Sequence, residues 1–251
     1  MPERTSYHPG EPTWIDLASS DLDASHAFYT GLFGWEAGES DPDFGGYGMY
    51  TLGGKSVAGF APLMFPGQPV AWSCYISVAD ADQTAGLVRE HGGTVHAEPM
   101  DVGDLGRMAF FVDPAQGYLG IWQPKSMTGA EVIQEEGTLG WVELSSRNLP
   151  GVLDFYTSVF GWTAKQDPGY TEFQVDGGSV AGATDMPEMV PAEVAAFWMP
   201  YFIAADVRGK AEQAGSLGGT VLLPYGSAPD VEFSVVQDPL GATFGLLHMT
   251  S

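Results

Sequence analysis

Two carboxylates stand at equivalent places in the sequence, and each lies two residues after a tryptophan. Asp16 follows Trp14 in the stretch WIDLAS, and Glu143 follows Trp141 in the stretch WVELSS. Side chains alternate across a β-strand, so each carboxylate is expected on the same face as its indole. A carboxylate that loses its water beside an indole has a raised pKa and can act as a general base. The alternative is a structural carboxylate that accepts hydrogen bonds from a tyrosine or from backbone N–H groups.

More polar and aromatic residues fall on strands that are expected to face the same side. The run AWSCYISV places Ser73 and Tyr75 on one face, and the matching run WMPYFIAAD places Tyr201 at the position of Tyr75. Trp122 has no aromatic counterpart, because Leu247 stands at the matching position. These aromatic rings could stack on a ligand or only fill space. The candidate ligand-binding residues are Trp14, Ser73, Tyr75, Trp122, Trp141 and Tyr201.

Several other chemistries have no support in the sequence. No Ser-His-Asp arrangement or reactive-cysteine motif occurs, and the glycine-rich runs GGTV and SVAG lack the GK[ST] ending of a phosphate loop. Nine Lys and Arg against 32 Asp and Glu give a formal net charge of −23, which repels nucleic acid and anionic membranes. The single Cys74 forms no internal disulfide, and no export signal or long apolar run is present. We therefore expect a cytoplasmic protein whose partner is a small molecule, with no nucleic acid and no membrane.

The sequence is an internal duplication. Residues 14–35 align with residues 141–162 without a gap, and the later matching stretches keep the same order along both halves. The stretch between the halves has no steady apolar period, so it is either a linker or a packed connector. The predicted divisions are a first domain at 10–124, a linker at 125–136 and a second domain at 137–249.

Each copy is expected to begin with a strand and a capped helix. Asp21 and Asn148 precede the helical pattern and are predicted N-caps, while Gly34 and Gly161 are predicted to end the helices. Trp35 and Trp162 follow these glycines and are predicted to belong to the core. Short strands separated by glycine-rich turns follow, and then the same order of elements starts again. Each copy is thus predicted to contain two βαβββ units.

These elements resemble the glyoxalase, bleomycin-resistance and extradiol-dioxygenase group, which is the vicinal oxygen chelate superfamily. The resemblance rests on the first strand, the following D-L-x-x-S-x-x-F-Y-x-x-L-F-G-W stretch and the Asp-Pro turn that enters the last strand, and it covers nearly the whole chain twice. It is closest to the tandem two-domain glyoxalase-like proteins of actinobacteria. The resemblance implies an α+β fold of two tandem glyoxalase-like domains, in which two βαβββ units form a curved, cleft-forming mixed sheet.

The resemblance also implies where a metal ion would be bound. Members with metal chemistry present His and Glu from the first and last strands of the units. The matching positions here hold Trp14 and Trp141 in place of His, and Gly120 and Gly245 in place of Glu. Neither indole nor glycine supplies a ligand for a hard divalent ion. We therefore expect no metal and no other cofactor.

The leading hypothesis is a metal-free protein that binds a planar or apolar small molecule in an aromatic-lined cleft. An aromatic polyketide or an antibiotic fits this description, held for sequestration or for presentation to a biosynthetic partner enzyme. The alternative is a metal-independent isomerase, cyclase, hydratase or accessory oxygenase that uses Asp16, Glu143 and the cleft tyrosines for proton transfer. A metal-dependent lyase or dioxygenase is least favoured. Because Trp122 makes the first cleft more aromatic, we expect the working site there.

Overall fold

In the computed structural model, which describes residues 3–188 and 190–250, the first copy folds as two successive βαβββ units. The elements of the first unit are β1 (Pro12–Ser19), α1 (Leu22–Phe33), β2 (Glu36–Ala37), β3 (Gly48–Leu52) and β4 (Lys55–Pro62). The elements of the second unit are β5 (Ala71–Ser77), α2 (Ala81–Glu90), β6 (Thr94–Val102), β7 (Gly106–Val112) and β8 (Tyr118–Pro124). A short 3-10 helix at Pro42–Phe44 lies between β2 and β3.

The second copy repeats this order of elements. Its first unit contains β9 (Leu139–Ser146), α3 (Leu149–Phe160), β10 (Thr163–Asp167), β11 (Tyr170–Val175) and β12 (Gly178–Asp185). Its second unit contains β13 (Phe197–Ile203), α4 (Val207–Ser216), β14 (Thr220–Ala228), β15 (Val231–Gln237) and β16 (Thr243–Met249). The predicted βαβββ units are therefore confirmed in both copies.

The first helix of each copy begins differently from its counterpart. The Asp21 side chain accepts a hydrogen bond from the Ala24 N–H at 3.1 Å, which confirms the predicted N-cap of α1. Asn148 occupies the predicted N-cap position of α3, but its side chain makes no such bond. Pro150 has no N–H to offer, and the next N–H, that of Gly151, donates to the Asn148 carbonyl instead.

Among the described residues, no helix combines the length and the apolar character that crossing a membrane requires.

Each copy forms an eight-stranded, curved mixed sheet. The first strands of its two units, β1 and β5 or β9 and β13, pair with each other at the centre. The order is β2-β3-β4-β1-β5-β8-β7-β6 in the first copy and β10-β11-β12-β9-β13-β16-β15-β14 in the second. Trp14 lies opposite Tyr75 on β5, and Trp141 lies opposite Tyr201 on β13. A bridge between Tyr118 and Phe197 joins the two sheets, so the two expected sheets are one continuous sheet.

One hydrophobic core lies on the convex side of this sheet and contains residues of both copies. The helix α1 packs against α4 of the other copy, and α2 packs against α3. Across the same boundary the ring of Phe202 lies 4.9 Å from that of Phe33 and 5.4 Å from that of Trp72. The two copies are therefore not separate globules, and their concave faces are left for other contacts.

Reciprocal hydrogen bonds tie the Asp-Pro turn of each copy to the first helix of the other. The Tyr29 hydroxyl donates to Asp238 Oδ2 at 3.0 Å, and the Tyr156 hydroxyl donates to Asp113 Oδ2 at 2.7 Å. The other oxygen of each carboxylate accepts backbone N–H groups of its own turn. Each of these buried aspartates thus links the turn of its own copy to the first helix of the other copy.

Two tryptophans add a second reciprocal pair of contacts. The Trp35 indole N–H donates to the Gly137 carbonyl at 2.8 Å, and the Trp162 indole N–H donates to the Gly10 carbonyl at 2.9 Å. Each bond joins the end of a first helix to the start of the other copy. Both indoles are buried, which confirms the prediction that these two tryptophans belong to the core.

Candidate functional site

Aromatic rings fill the positions at which the resemblance places metal-binding glutamates. A Cβ atom added to Gly120 would lie 2.5 Å from Tyr75 Cδ1, and one added to Gly245 would lie closer still to Tyr201 Cδ1. A glutamate at either position would therefore require the tyrosine ring to move. Within the described ranges, no three His, Cys, Asp or Glu side chains are grouped as metal ligands. The residues present do not fit a divalent metal at these positions.

A hydrogen-bonded cluster around Asp16 occupies this part of the first copy. The Trp14 indole N–H donates to the Tyr47 hydroxyl at 2.7 Å, and the Tyr75 hydroxyl donates to Asp16 Oδ2 at 2.6 Å. Tyr47 and Ser73 lie close enough to the Asp16 carboxylate to lower its pKa. The structure thus brings together four of the residues that the sequence predicts and adds Tyr47 to them.

The second copy has the same arrangement around Glu143. The Trp141 indole N–H donates to the Tyr170 hydroxyl at 2.9 Å, and the Tyr201 hydroxyl donates to Glu143 Oε1 at 3.0 Å. Tyr170 completes the set, because its phenol lies close enough to the Glu143 carboxylate to lower the pKa of that carboxyl group. We refer to the two arrangements as the Asp16 cluster and the Glu143 cluster.

The sequence prediction missed Tyr47 and Tyr170, although a signal for them exists. Both follow a glycine at matching places in the two copies, in the stretches GYGMY and GYTEF. Their hydroxyl groups lie against the backbone of Gly59 and Gly182, where a side chain would collide with them. Paired glycines and tyrosines at matching places therefore indicate these close approaches.

Burial sets the ionisation of both clusters. It raises the pKa of Asp16 to about 6, and the hydrogen bonds from Tyr75, Ser73 and Tyr47 offset only part of this effect. Burial also raises the pKa of Glu143, against hydrogen bonds from its two tyrosines. The phenol pKa values of these tyrosines lie above the usual value because of burial and the adjacent carboxylate. Each cluster therefore offers one carboxylate that can exchange a proton and two phenols that act as hydrogen-bond donors.

Residues 125–136 cover part of the concave face of the first copy. The Trp122 indole N–H donates to the Met127 carbonyl at 2.9 Å, and the Tyr7 hydroxyl donates to the Ala130 carbonyl at 2.7 Å. Ala130 is fully buried and packs in one cluster with Trp14, Tyr75 and Trp122. This segment is thus the packed connector, and we call it the connector below.

The cover over Trp122 counts against the expectation that this residue marks the working cleft. Its side chain is only 6% exposed and it does not belong to the Asp16 cluster. The hydrophobic cluster that contains Trp14 and Trp122 is also packed against three methionines, Met49, Met108 and Met127. The part of the first cleft around Trp122 is therefore filled by side chains of the protein itself. A role of Trp122 in ligand binding remains a prediction, and it requires the connector to move.

The concave face of the second copy has no comparable cover within the described residues. Its aromatic and aliphatic centre consists of Met199, Tyr201 and Leu247, and Trp141 at its edge is partly exposed. A cavity of about 100 Å³ lies beside Trp141, between the start of β9 and the connector. Ligand sites for drug-sized molecules usually reach about 300 Å³ or more. A ligand of several rings would therefore need side chains to move. Met199 could do so, because a methionine side chain is flexible.

Comparison with known proteins gives one family model and several full-length relatives. Residues 12–119 match the family model described as the glyoxalase, bleomycin resistance protein and dioxygenase superfamily. CFP32 of Mycobacterium tuberculosis, which carries a provisional glyoxylase name, is 36% identical, with 98% of each chain covered. The anthracycline biosynthesis protein DnrV of Streptomyces peucetius is also 36% identical, with 98% of this chain and 95% of that protein covered.

Solved structures with the same fold include a Mn(II)-bound glyoxalase and a dioxygenase. The Mn(II)-bound glyoxalase from Novosphingobium aromaticivorans has a TM-score of 0.68 at 15% identity, with 95% of this chain and 81% of that chain covered. The 2,2',3-trihydroxybiphenyl 1,2-dioxygenase from Sphingomonas wittichii has a TM-score of 0.65 at 15% identity, with 96% and 90% covered. At this identity the likeness shows the fold alone.

Proposed function

Because this chain belongs to the glyoxalase, bleomycin resistance protein and dioxygenase superfamily, we propose that it uses the superfamily's concave sheet to bind a planar small molecule without a metal. The observation that carries the proposal is the replacement of metal ligands by tyrosine rings. In both copies a glycine makes room for Tyr75 or Tyr201, and the phenol bonds to a buried carboxylate. The concave faces thereby present aromatic rings around one buried carboxylate in each copy.

The chemistry of this surface favours a flat, neutral ligand with polar edge groups. Aromatic rings stack on one another with a gain of about 0.5 to 1.5 kcal/mol per pair beyond burial. The net charge of −23 opposes an anionic ligand, and the burial that raises the pKa values of Asp16 and Glu143 opposes a charged one. Aromatic polyketides meet these requirements, and the relative DnrV bears the name of an anthracycline biosynthesis protein. Such a ligand would be sequestered or handed to a biosynthetic partner enzyme.

Tryptophan fluorescence tests the binding proposal directly. We expect 1,8-dihydroxyanthraquinone, added to protein stripped of metal with EDTA, to quench the emission in a saturable way. Trp141→Phe should remove a large part of the quenched signal, because this indole is partly exposed on the second concave face. Trp35→Phe is the control, since its indole lies in the core between the copies. Quenching that rises linearly with ligand, or that depends on added metal, would contradict the proposal.

A second candidate function is proton transfer without a metal. The observation that favours it is the pKa of Asp16 at about 6, close enough to neutrality for a carboxylate to take up and release a proton. Metal-stripped protein would then exchange the acidic C10 methylene hydrogens of a polycyclic ketone such as anthrone, which lie across the central ring from the carbonyl, for deuterium in D2O. The rate should fall at least tenfold in Asp16→Asn or Glu143→Gln. Exchange that equals the buffer rate in the wild type excludes this function for that ketone.

A further inference from the structure

Two departures from the internal repeat lie on one row of the sheet, where the two copies meet. Ser145 on β9 pairs with Phe197 on β13, and Phe197 pairs with Tyr118 on β8. In the first copy the positions of Ser145 and Phe197 are taken by Ala18 and Ala71, which pair with each other in the same way. Directly paired residues of neighbouring strands project from the same face of a sheet. The row therefore has polar and aromatic side chains at positions where the equivalent row of the first copy has alanines.

The first copy contributes an aromatic platform to this row. The Tyr118 ring stacks on the Phe110 ring, with 5.0 Å between centroids and 14° between planes, and Tyr118 remains 42% exposed. The matching residues of the second copy are Thr243 and Val235, so no such platform exists there. The Phe110 ring also lies 5.1 Å from the Tyr75 ring, which places the platform beside the Asp16 cluster. The His96 ring approaches Tyr118 at 6.3 Å and nearly at right angles, so the Tyr118 ring is open in part.

The second copy contributes an unpaired hydroxyl group. Ser145 is 6% exposed, and its Oγ has no hydrogen-bond partner among the described residues. It alternates with Val142 and Leu144, which lie in the shared core, so Ser145 faces the concave side with Glu143. A buried hydroxyl without a partner destabilises the fold, and the alanine at the matching position of the first copy shows that the fold does not require it.

We propose that Ser145, Phe197 and Tyr118 form one ligand site between the copies, which takes a neutral, flat aromatic molecule with a hydroxyl or carbonyl group at its edge. The ligand would stack on the open face of Tyr118, pass over Phe197 and bond through its edge group to Ser145 Oγ. Neighbouring strands lie about 4.8 Å apart, so the row from Ser145 to Tyr118 spans about 10 Å, which suits two or three fused rings. This inference rests on the proposed function and limits it to one ligand per chain.

Calorimetric titration of the full chain with 1,8-dihydroxyanthraquinone tests the site, with matched variants at the two ends of the row. Ser145→Ala and Tyr118→Ala should each weaken binding about tenfold, and the stoichiometry of the wild type should be one ligand per chain. Thr243→Ala is the control, because it alters the counterpart of Tyr118 on the other side of the junction. It should leave the affinity within twofold of the wild type.

Thermal unfolding separates loss of the site from loss of the fold. Ser145→Ala removes a buried hydroxyl without a partner, so its melting temperature should equal or exceed that of the wild type. A wild type that binds two ligands per chain, or that binds one with affinity unchanged in both variants, would overturn the junction site and leave the proposed function standing. Absence of saturable binding to the wild type would overturn both. A fall in affinity only in variants with a lowered melting temperature would also overturn the site.

Discussion

The two concave faces of this protein contain the same hydrogen-bonded cluster but differ in what covers it. In each copy an indole donates to one phenol, and a second phenol donates to a buried carboxylate, either Asp16 or Glu143. The connector lies against the first cluster, whereas no described segment of the chain lies in that way on the second. The shared cluster therefore belongs to the architecture, and the cover distinguishes the copies. Trp141 on the second face is partly exposed, whereas its counterpart Trp14 is buried, so a ligand should reach the second indole more easily.

The largest effect is expected when alanine replaces the glycine that lies against a tyrosine ring of either cluster. Gly245→Ala should destabilise the protein by about 3 kcal/mol, because its Cβ would overlap the Tyr201 ring. Gly120→Ala should act in the same direction with a smaller magnitude, since the overlap with Tyr75 is less severe. Urea unfolding measures both effects.

Two further variants control this prediction. Gly86 lies in α2 with open space around its Cβ position, so Gly86→Ala should stabilise the protein by about 0.5 to 1 kcal/mol. Tyr201→Ala combined with Gly245→Ala should cost less than the sum of the two single changes. Wild-type stability of Gly245→Ala would show that the ring and the glycine are not matched.

The next effect concerns the ionisation of the Asp16 cluster. The pKa of Asp16 is raised from 3.8 to about 6 in the folded protein, so folding favours the protonated form. Its contribution to stability is therefore complete below about pH 4 and is lost as the pH rises through 6. Relative to Asp16→Asn, the wild type should lose up to about 3 kcal/mol of unfolding free energy between pH 4 and pH 7.

Like Asp16→Asn, Glu143→Gln should reduce the loss of unfolding free energy that the wild type shows as the pH rises, because burial also raises the Glu143 pKa. Urea unfolding at a series of pH values measures both variants against the wild type. Parallel curves for wild type and Asp16→Asn would mean that the Asp16 carboxylate keeps its ordinary pKa in the folded state.

A moderate effect is expected at the connector, and only in the first copy. Met127→Ala should destabilise the protein by about 1 to 2 kcal/mol, since a partly buried side chain over the Trp122 indole is lost. Acrylamide should then quench the Trp122 emission more strongly, as measured against the same change in a Trp122→Phe background. Met64 is 77% exposed, so Met64→Ala should alter neither quantity. Unchanged quenching in Met127→Ala would mean that the connector does not shield this face.

The smallest effect compares the first helices of the two copies. Asp21→Ala should destabilise the protein by about 1 kcal/mol, because it removes the side-chain bond to the Ala24 N–H. Asn148→Ala should have almost no effect, since Asn148 makes no side-chain cap bond. Equal losses in urea unfolding for the two variants would show that the Asn148 side chain caps α3 in solution.

The sequence was sufficient for features that depend on local pattern and on the repeat. Alternation along the first strand placed Asp16 beside Tyr75, and the αL glycines Gly34 and Gly161 ended the helices with φ values of 71° and 69°. The family was visible because the motif residues recur in order. These features follow from the spacing of side chains along strands and helices, which is fixed by backbone geometry.

Other features depend on contacts between distant parts of the chain, and the sequence did not reveal them. The sequence indicated that Trp35 and Trp162 are buried, but not that each donates to the backbone of the other copy. Tyr47 was missed because its role follows from the space above Gly59 on a neighbouring strand. The connector has no periodic pattern, so its position over Trp122 could not be deduced.

The hydrogen bonds from Tyr29 to Asp238 and from Tyr156 to Asp113 have a consequence for the history of the chain. A single copy could satisfy both groups only by pairing with a second copy of itself about a twofold axis. The ancestor that preceded the duplication is therefore expected to have been a homodimer. Fusion of its two subunits freed each half to change separately, which explains how one junction row could become aromatic while its mirror row kept alanines.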